Sequence, residues 1–276
     1  MVDTVLDEYA RYAAETARAA GAILRERFGQ PHEIRFKGAI DLVTEADQAA
    51  EDLIASRLRA ACPDHELLCE EGSLGATTPS SFRWVVDPLD GTTNFAHGMP
   101  TFAVSIALEK SGVPVIGVVY DPMRDELFAA RRGRGATLND NPIRVSSTET
   151  LISSILVTGF SYDFARRAHQ AEIWREFLTQ VQAIRQTGSA ALNLCYIAAG
   201  RLDGYWERGI QPWDVAAGAL MVSEAGGMVT DMSGGDFRAD DREILASNGH
   251  LHEHLRTVIA RHPLAVATLS PAQLGA

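Results

Sequence analysis

Apolar residues recur at helical spacing at the start of the chain. Leu6, Ala10, Ala13, Ala17, Ala20, Leu24 and Phe28 share a face, and Gly29 stops the run, which predicts a helix over 4–28. A loop with Pro31, Lys37 and Gly38 follows. Thr44-Glu45-Ala46-Asp47 then has the form of a capping box opening a second helix to about Ala61. After the Pro63-Asp64 turn the apolar runs shorten to strand length: Glu66–Cys69, Arg83–Asp87, Ala103–Glu109, Val115–Asp121 and Glu126–Ala130. Lys110-Ser111-Gly112 is tight enough to make an antiparallel hairpin. The turn residues of RRGRGATLNDNPIRVSS close this half near residue 145.

Beyond that point strand and helix alternate. Strands are expected at Ser154–Gly159, Asp203–Glu207, Met228–Thr230 and Ile244–Ser247. Helices are expected at His169–Ile184, with Ile173, Phe177, Val181 and Ile184 on one face, and at Ser189–Ala199, Trp213–Ala225 and Leu251–Arg261. The tail from Pro263 is expected to attach loosely. The mixture predicts an α+β or layered α/β fold in two halves, 1–145 and 146–276.

Composition narrows the class. The chain has 276 residues, 46% hydrophobic and 22% charged, enough for a large core. No apolar run reaches the roughly eighteen residues of a membrane helix, and the N-terminus lacks the form of a secretory signal. Cys62, Cys69 and Cys195 form an odd, widely spaced set, which suggests reduced thiols and a cytoplasmic location. A formal charge of −11 argues against nucleic acid as a partner. An anionic small substrate remains compatible with it if a divalent cation sits between substrate and carboxylates.

The chemistry concentrates in WVVDPLDGTTNFAHGMP, residues 84–100. If a strand ends at Asp87 and Pro88 stops its pairing, Asp87 stands at a strand's carboxyl edge, and Asp90 can come round to share one ion with it. The Leu89 carbonyl can aim at the same ion, and such hard oxygen donors suit Mg²⁺ or Mn²⁺. A helix starting near Thr92 would offer free N–H groups to a phosphate. A bare pair of aspartates at this spacing is also what a turn and a helix cap require. Three further acids change the balance. Glu70 and Glu71 end another strand, Asp214 opens the helix beginning WDVAAG, and Asp47 lies in the capping box. Each alone reads as a solvated or capping residue.

Together these segments resemble the inositol monophosphatase family: DLVTEAD at 41–47, EEG at 70–72, DPLDGTTNF at 87–95, TGSAAL at 187–192, WDVAAG at 213–218 and SEAGG at 223–227. The likeness covers roughly residues 5–260. It implies a layered α/β/α/β/α sandwich, usually dimeric, and Mg²⁺-dependent, lithium-sensitive hydrolysis of small phosphomonoesters. By that resemblance Glu70, Asp87 and the Leu89 carbonyl hold one metal, and Asp87, Asp90 and Asp214 a second. A third, weaker site involves Glu70. Water on the first metal attacks phosphorus, Thr92 paired with Asp47 helps take its proton, and the second metal stabilises the leaving alkoxide. Phosphate would lie on the amides of Gly91, Thr92 and Thr93, and no arginine is needed to clamp it. Gly188, Ser189, Ala190 and Glu207 would meet the alcohol, a small phosphorylated polyol or sugar, with myo-inositol monophosphate the default. Gln211 stands where some animal relatives have His, and Arg208 where many have an apolar residue. Both positions are expected near the substrate rim.

Fructose 1,6-bisphosphate, histidinol phosphate, adenosine 3′,5′-bisphosphate and NADP are rival substrates for the same chemistry. A regulatory or binding protein on the same scaffold is a rival of another class. Other motifs carry less. His250 and His254 are expected one turn apart on a solvated helix. Gly159-Phe160-Ser161-Tyr162-Asp163 lacks the second glycine of a nucleophile elbow. Gly133-Arg134-Gly135 fits a hairpin turn, Cys69 a buried strand position, and Trp174 and Phe177 helix core or a subunit contact.

Overall fold

The computed structural model describes residues 2–30, 34–36, 42–72 and 80–263. The first part of the chain runs α1 (Val2–Arg27), β1 (Ile34–Phe36), β2 (Leu42–Thr44), α2 (Glu45–Ala61), β3 (Glu66–Cys69), β4 (Phe82–Asp90), α3 (Thr92–Ala96), β5 (Ala103–Lys110), β6 (Val113–Asp121), β7 (Glu126–Arg131), β8 (Gly135–Leu138) and β9 (Asn141–Pro142). The second runs β10 (Ile155–Thr158), α4 (Phe164–Leu178), β11 (Ala183–Arg185), α5 (Ala190–Ala198), β12 (Gly204–Arg208), α6 (Pro212–Glu224), β13 (Met228–Thr230), β14 (Glu243–Ser247) and α7 (His252–Ile259). Strands β3 to β9 form a seven-stranded sheet in sequence order, and a five-stranded sheet has the order β11-β10-β12-β14-β13. Lys37, Gly38 and Pro31 of the expected loop, and the tail after Pro263, lie outside the described residues.

Alternation along the strands explains the layering, because successive side chains point to opposite faces. In β4, Trp84 and Val86 pack with Ala13, Ala17, Ala20 and Leu24 of α1 and Ile54 and Leu58 of α2, whereas Val85 faces the opposite core. That second core is built on α5 and α6, and it takes Tyr205 of β12 from the other sheet. Trp206 turns away into a third cluster with Ile173 and Phe177 of α4 and Leu255 of α7. The order is therefore helices, sheet, helices, sheet, helices. Both sheets are buried on both faces, which is why their strands read as near-continuous apolar runs.

Several boundaries differ from the sequence reading. β4 does not end at Asp87: it runs through Pro88 to Asp90, pairing Asp87 with Ser105 and Asp90 with Ala103 across a register shift. Pro88 falls within that shift, where the ladder does not require its missing N–H. α4 begins at Phe164, capped by Asp163, whose Oδ1 accepts from Arg166 N at 2.8 Å. It ends at Leu178, so Val181 and Ile184 leave the expected helix. Both still join the same cluster, Ile184 from β11, and the apolar spacing therefore outlasts the helix. α7 starts at His252, so His250 precedes the helix instead of sharing a face with His254. Gly133 to Gly135 form a hairpin turn whose three N–H groups donate to the Glu224 carboxylate.

Candidate active site

The site is built where β4 ends. Asp87 and Leu89 are fully buried, and the Asp87 Oδ1 accepts from Leu89 N at 2.9 Å, which curls the chain back on itself. Asp90 follows, then Gly91, from which the short helix α3 starts at Thr92. The first N–H groups of a helix have no partner within it, so the amides here are open to an acceptor. Asn94, in the same turn, donates to Thr101 O at 2.7 Å and Thr187 O at 2.8 Å. It thereby ties this turn to the segment leading into α5. Gly188 closes that contact. It has φ +87°, and a Cβ there would meet the Asn94 amide at 2.6 Å.

Asp90 faces two ways. Its Oδ2 accepts from Ser189 Oγ at 2.5 Å and Ala191 N at 2.8 Å, and its Oδ1 from Ala190 N at 3.2 Å. It therefore helps cap α5 while lining the pocket. Ser189 and Ala190 were expected to meet the substrate. Both line the pocket, but the hydroxyl of Ser189 and the amide of Ala190 are turned to Asp90.

Glu70 lies just past β3, its N–H donating to Val86 O at 3.2 Å, so the parallel pairing of β3 with β4 sets it beside Asp87. Asp214 enters from the first turn of α6, where its Oδ2 accepts from Gln211 N at 2.8 Å. Asp47 sits at the capping box of α2. Its Oδ2 accepts from Thr44 N at 2.8 Å and Thr44 Oγ1 at 2.6 Å, and its Oδ1 from Thr92 Oγ1 at 3.0 Å. Capping residue and partner of Thr92 are thus one and the same.

The acids burden one another. Burial, and then the charges of Glu70, Asp90 and Asp214, hold the Asp87 carboxyl well above the usual carboxylate range, and Glu70 also hydrogen-bonds to it. Burial followed by Asp90 and Glu70 raises Asp214 well above its ordinary value. Asp90 is pushed up to about 6 by burial, the hydrogen bonds from Ser189, Ala191 and Ala190 working against the rise. Such a set needs positive charge, and its donors are hard oxygens fit for Mg²⁺ or Mn²⁺. Among the described residues no three acid, histidine or cysteine side chains are drawn into a closed metal cage, so the fit rests on donor chemistry and mutual repulsion.

A cavity of about 650 Å³ opens over these residues. Glu70, Asp90, Gly91, Thr92, Thr93 and Asp214 line it, and so do Glu207, Gly159, Phe160, Ile210, Gln211 and Trp213. Glu207, next to last in β12, accepts from Tyr205 Oη at 2.5 Å, and is raised to about 7, chiefly by burial. It fits there because residue 159 is glycine: a Cβ would stand 2.0 Å from Glu207 Oε2. Arg208 does not face the cavity as expected. It turns to Glu243, with Nε to Oε2 at 3.2 Å. Cys69 is buried, and burial pushes its thiol up to about 12, which leaves it inert as a nucleophile. Sequence reasoning missed Asn94 and Tyr205. A lone Asn in a helix and a Tyr in an apolar strand carry no signal of their own.

A sequence profile described as the inositol monophosphatase family matches residues 5–264. The chain belongs to that family. An inositol-1-monophosphatase of Synechocystis sp. is 46% identical over 260 residues, covering 94% of this chain and 91% of the relative. The Nus factor SuhB of Salmonella typhimurium is 44% identical over 239 residues, covering 86% and 90%. The solved inositol monophosphatase of Anabaena (Nostoc) superposes with a TM-score of 0.83 at 43% identity, covering 94% of this chain and 97% of that one. The layered sandwich is thus the family fold, and the family is one of generally metal-dependent phosphatases. No described helix is long and apolar enough to cross a membrane.

Proposed function

We propose that this protein hydrolyses small phosphomonoesters in the presence of Mg²⁺, with myo-inositol monophosphate the preferred substrate. The observation that carries the reading is the meeting, in one cavity, of the mutually destabilised carboxylates of Glu70, Asp90 and Asp214, with Asp87 buried beside them, and the open amides of Gly91, Thr92 and Thr93. Two or three Mg²⁺ ions, replaceable by Mn²⁺, would be held by Glu70, Asp87, the Leu89 carbonyl, Asp90 and Asp214, and would supply Lewis acidity to phosphate and water.

The chain's own residues do the rest. The amides of Gly91, Thr92 and Thr93 hold the phosphate by its oxygens. Thr92 Oγ1 takes a proton from attacking water while giving its own to Asp47 Oδ1, a role supported by the hydrogen bond between the two. Burial raises Asp47 above its ordinary value, against the hydrogen bonds of Thr44 and Thr92, and so favours its gaining that proton. Glu207, once ionised, accepts hydrogen bonds from the hydroxyls of the polyol. Apolar Phe160, Ile210 and Trp213 cover its ring faces. No covalent enzyme intermediate is needed. A cytoplasmic homodimer inhibited by lithium completes the proposal, and the three free, buried cysteines support the reducing compartment.

The name of the Salmonella relative favours a second reading, a binding or regulatory protein on this scaffold. Phosphate release from myo-inositol 1-phosphate with Mg²⁺, set against a panel of the rival esters, decides between them. Turnover lost in chelator and in Asp90→Asn supports the enzyme. No turnover of any ester supports the binding protein.

A further inference from the structure

Glu70 is held from two sides. Its own N–H donates to Val86 O of β4 at 3.2 Å, and the N–H of the next residue, Glu71, donates to Glu51 Oε2 at 2.7 Å. The first bond continues the pairing of β3 with β4. The second crosses to a helix. Glu51 stands in the second turn of α2 and is fully buried, as is Asp47 four residues before it. Glu45 and Asp52 of the same helix are exposed.

Residues four apart share one face of a helix. α2 therefore carries two buried carboxylates on the face toward the site. Asp47 Oδ1 accepts from Thr92 Oγ1 at the start of α3, and Glu51 Oε2 accepts from the amide just past β3. Burying a carboxylate is costly unless its oxygens are hydrogen-bonded, and an apolar side chain would fill the same space at less cost. Helix packing alone therefore does not call for an acid at position 51. The acid supplies reach, and an acceptor for the peptide that follows Glu70. With the N–H groups on both sides of Glu70 engaged, its backbone is fixed and its side chain is set beside Asp87.

We propose that Glu51 is a positioning residue for metal binding: it fixes the Glu70 carboxylate through the Glu71 amide and ties it to the helix that carries Asp47. This inference rests on the metal-dependent phosphatase reading and deepens it. Glu51 does not line the cavity, so its effect passes through Glu70. Partners that orient a metal ligand are worth about 10- to 100-fold in metal affinity.

The test is Mn²⁺ binding to the full chain without substrate, followed by the electron paramagnetic resonance of the free ion. It compares the unmodified protein with Glu51→Gln, Glu51→Asp, Glu70→Gln and the double variant Glu51→Asp/Glu70→Gln. Glu51→Gln keeps the reach and an acceptor oxygen but loses the charge. Glu51→Asp keeps the charge but falls one methylene short of Glu71 N. Positioning predicts that Glu51→Asp weakens Mn²⁺ binding about tenfold and that Glu51→Gln stays within about threefold of the unmodified protein. It also predicts that Glu51→Asp costs nothing further in the Glu70→Gln background. Equal weakening in Glu51→Asp and Glu51→Gln would make charge the cause and overturn the proposal. Undiminished binding in Glu51→Asp, or a further loss in the double variant, would overturn it as well. An unmodified protein that binds no Mn²⁺ overturns the metal-dependent reading and the proposal together. The predicted binding pattern without turnover of any phosphoester leaves the positioning role standing and overturns the phosphatase alone.

Discussion

Thr92 Oγ1 donates to Asp47 Oδ1 at 3.0 Å, while the other oxygen of the same carboxylate is held by Thr44 N and Thr44 Oγ1. One acid therefore fixes the start of α2 and aims the hydroxyl that opens α3. The two roles separate by substitution. Thr92→Val removes the hydroxyl and nothing of the cap, so kcat should fall about 100-fold with little change in Tm, and Thr92→Ser should keep most activity. Asp47→Ala should lose both, with about 1 kcal/mol of stability gone alongside kcat. Kinetics with thermal melts on the three variants checks the split.

Gly159 owes its identity to a neighbour, not to its own backbone. A Cβ would stand 2.0 Å from Glu207 Oε2 and 2.4 Å from its Oε1. Gly159→Ala should displace that carboxylate and raise KM for a polyol phosphate about tenfold, with kcat less affected. Gly188→Ala differs, because φ is +87° and the added atom meets Asn94. It should cost about 1–3 kcal/mol of stability, read as a lowered denaturation midpoint.

Glu207 sets a pH dependence. Its folded value of about 7 lies above the 4.5 of an unperturbed glutamate, because burial favours the protonated form. The folded state thus binds the proton more tightly than the unfolded chain. The stability from this group is fully present below about 4.5 and is lost as pH rises through about 7. With divalent ions chelated, the denaturation midpoint should fall across that window, and the fall should be smaller in Glu207→Gln. An equal fall in both would remove Glu207 as a source.

Asp90 binds α5 as well as the pocket, so its loss has a mixed signature. Asp90→Asn keeps an acceptor for Ala191 N but removes one charge from a set of acids that repel each other. In chelator its Tm should equal or exceed that of the unmodified protein. The rise in Tm on adding Mg²⁺ should shrink, and turnover should fall at least about 100-fold. A variant less stable in chelator with an undiminished response to Mg²⁺ would place Asp90 in the helix cap alone.

Much of this was legible in the chain because the informative residues lie where pattern breaks. Asp87, Asp90 and Asp214 interrupt apolar runs, and Gly91 and Gly188 mark turns. The course of β4 through Pro88 was hidden. A proline ends a strand by rule, and only the register shift opposite β5 shows why it is tolerated. The end of α4 was hidden for another reason: Val181 and Ile184 continue a helical apolar spacing because β11 packs on the same cluster. The turning of Arg208 to Glu243, and of Ser189 to Asp90, depends on partners 35 and 99 residues away. No local pattern encodes those.

The central claim is that Glu70, Asp87, Asp90 and Asp214 share divalent ions beside the Gly91–Thr93 amides. The most direct measurement is anomalous diffraction from crystals soaked in Mn²⁺ and inorganic phosphate. The account predicts at least two Mn²⁺ peaks, each within about 2.0–2.5 Å of carboxylate oxygens from this set, with phosphate on the amides. Manganese bound elsewhere, or none at these carboxylates, would contradict it.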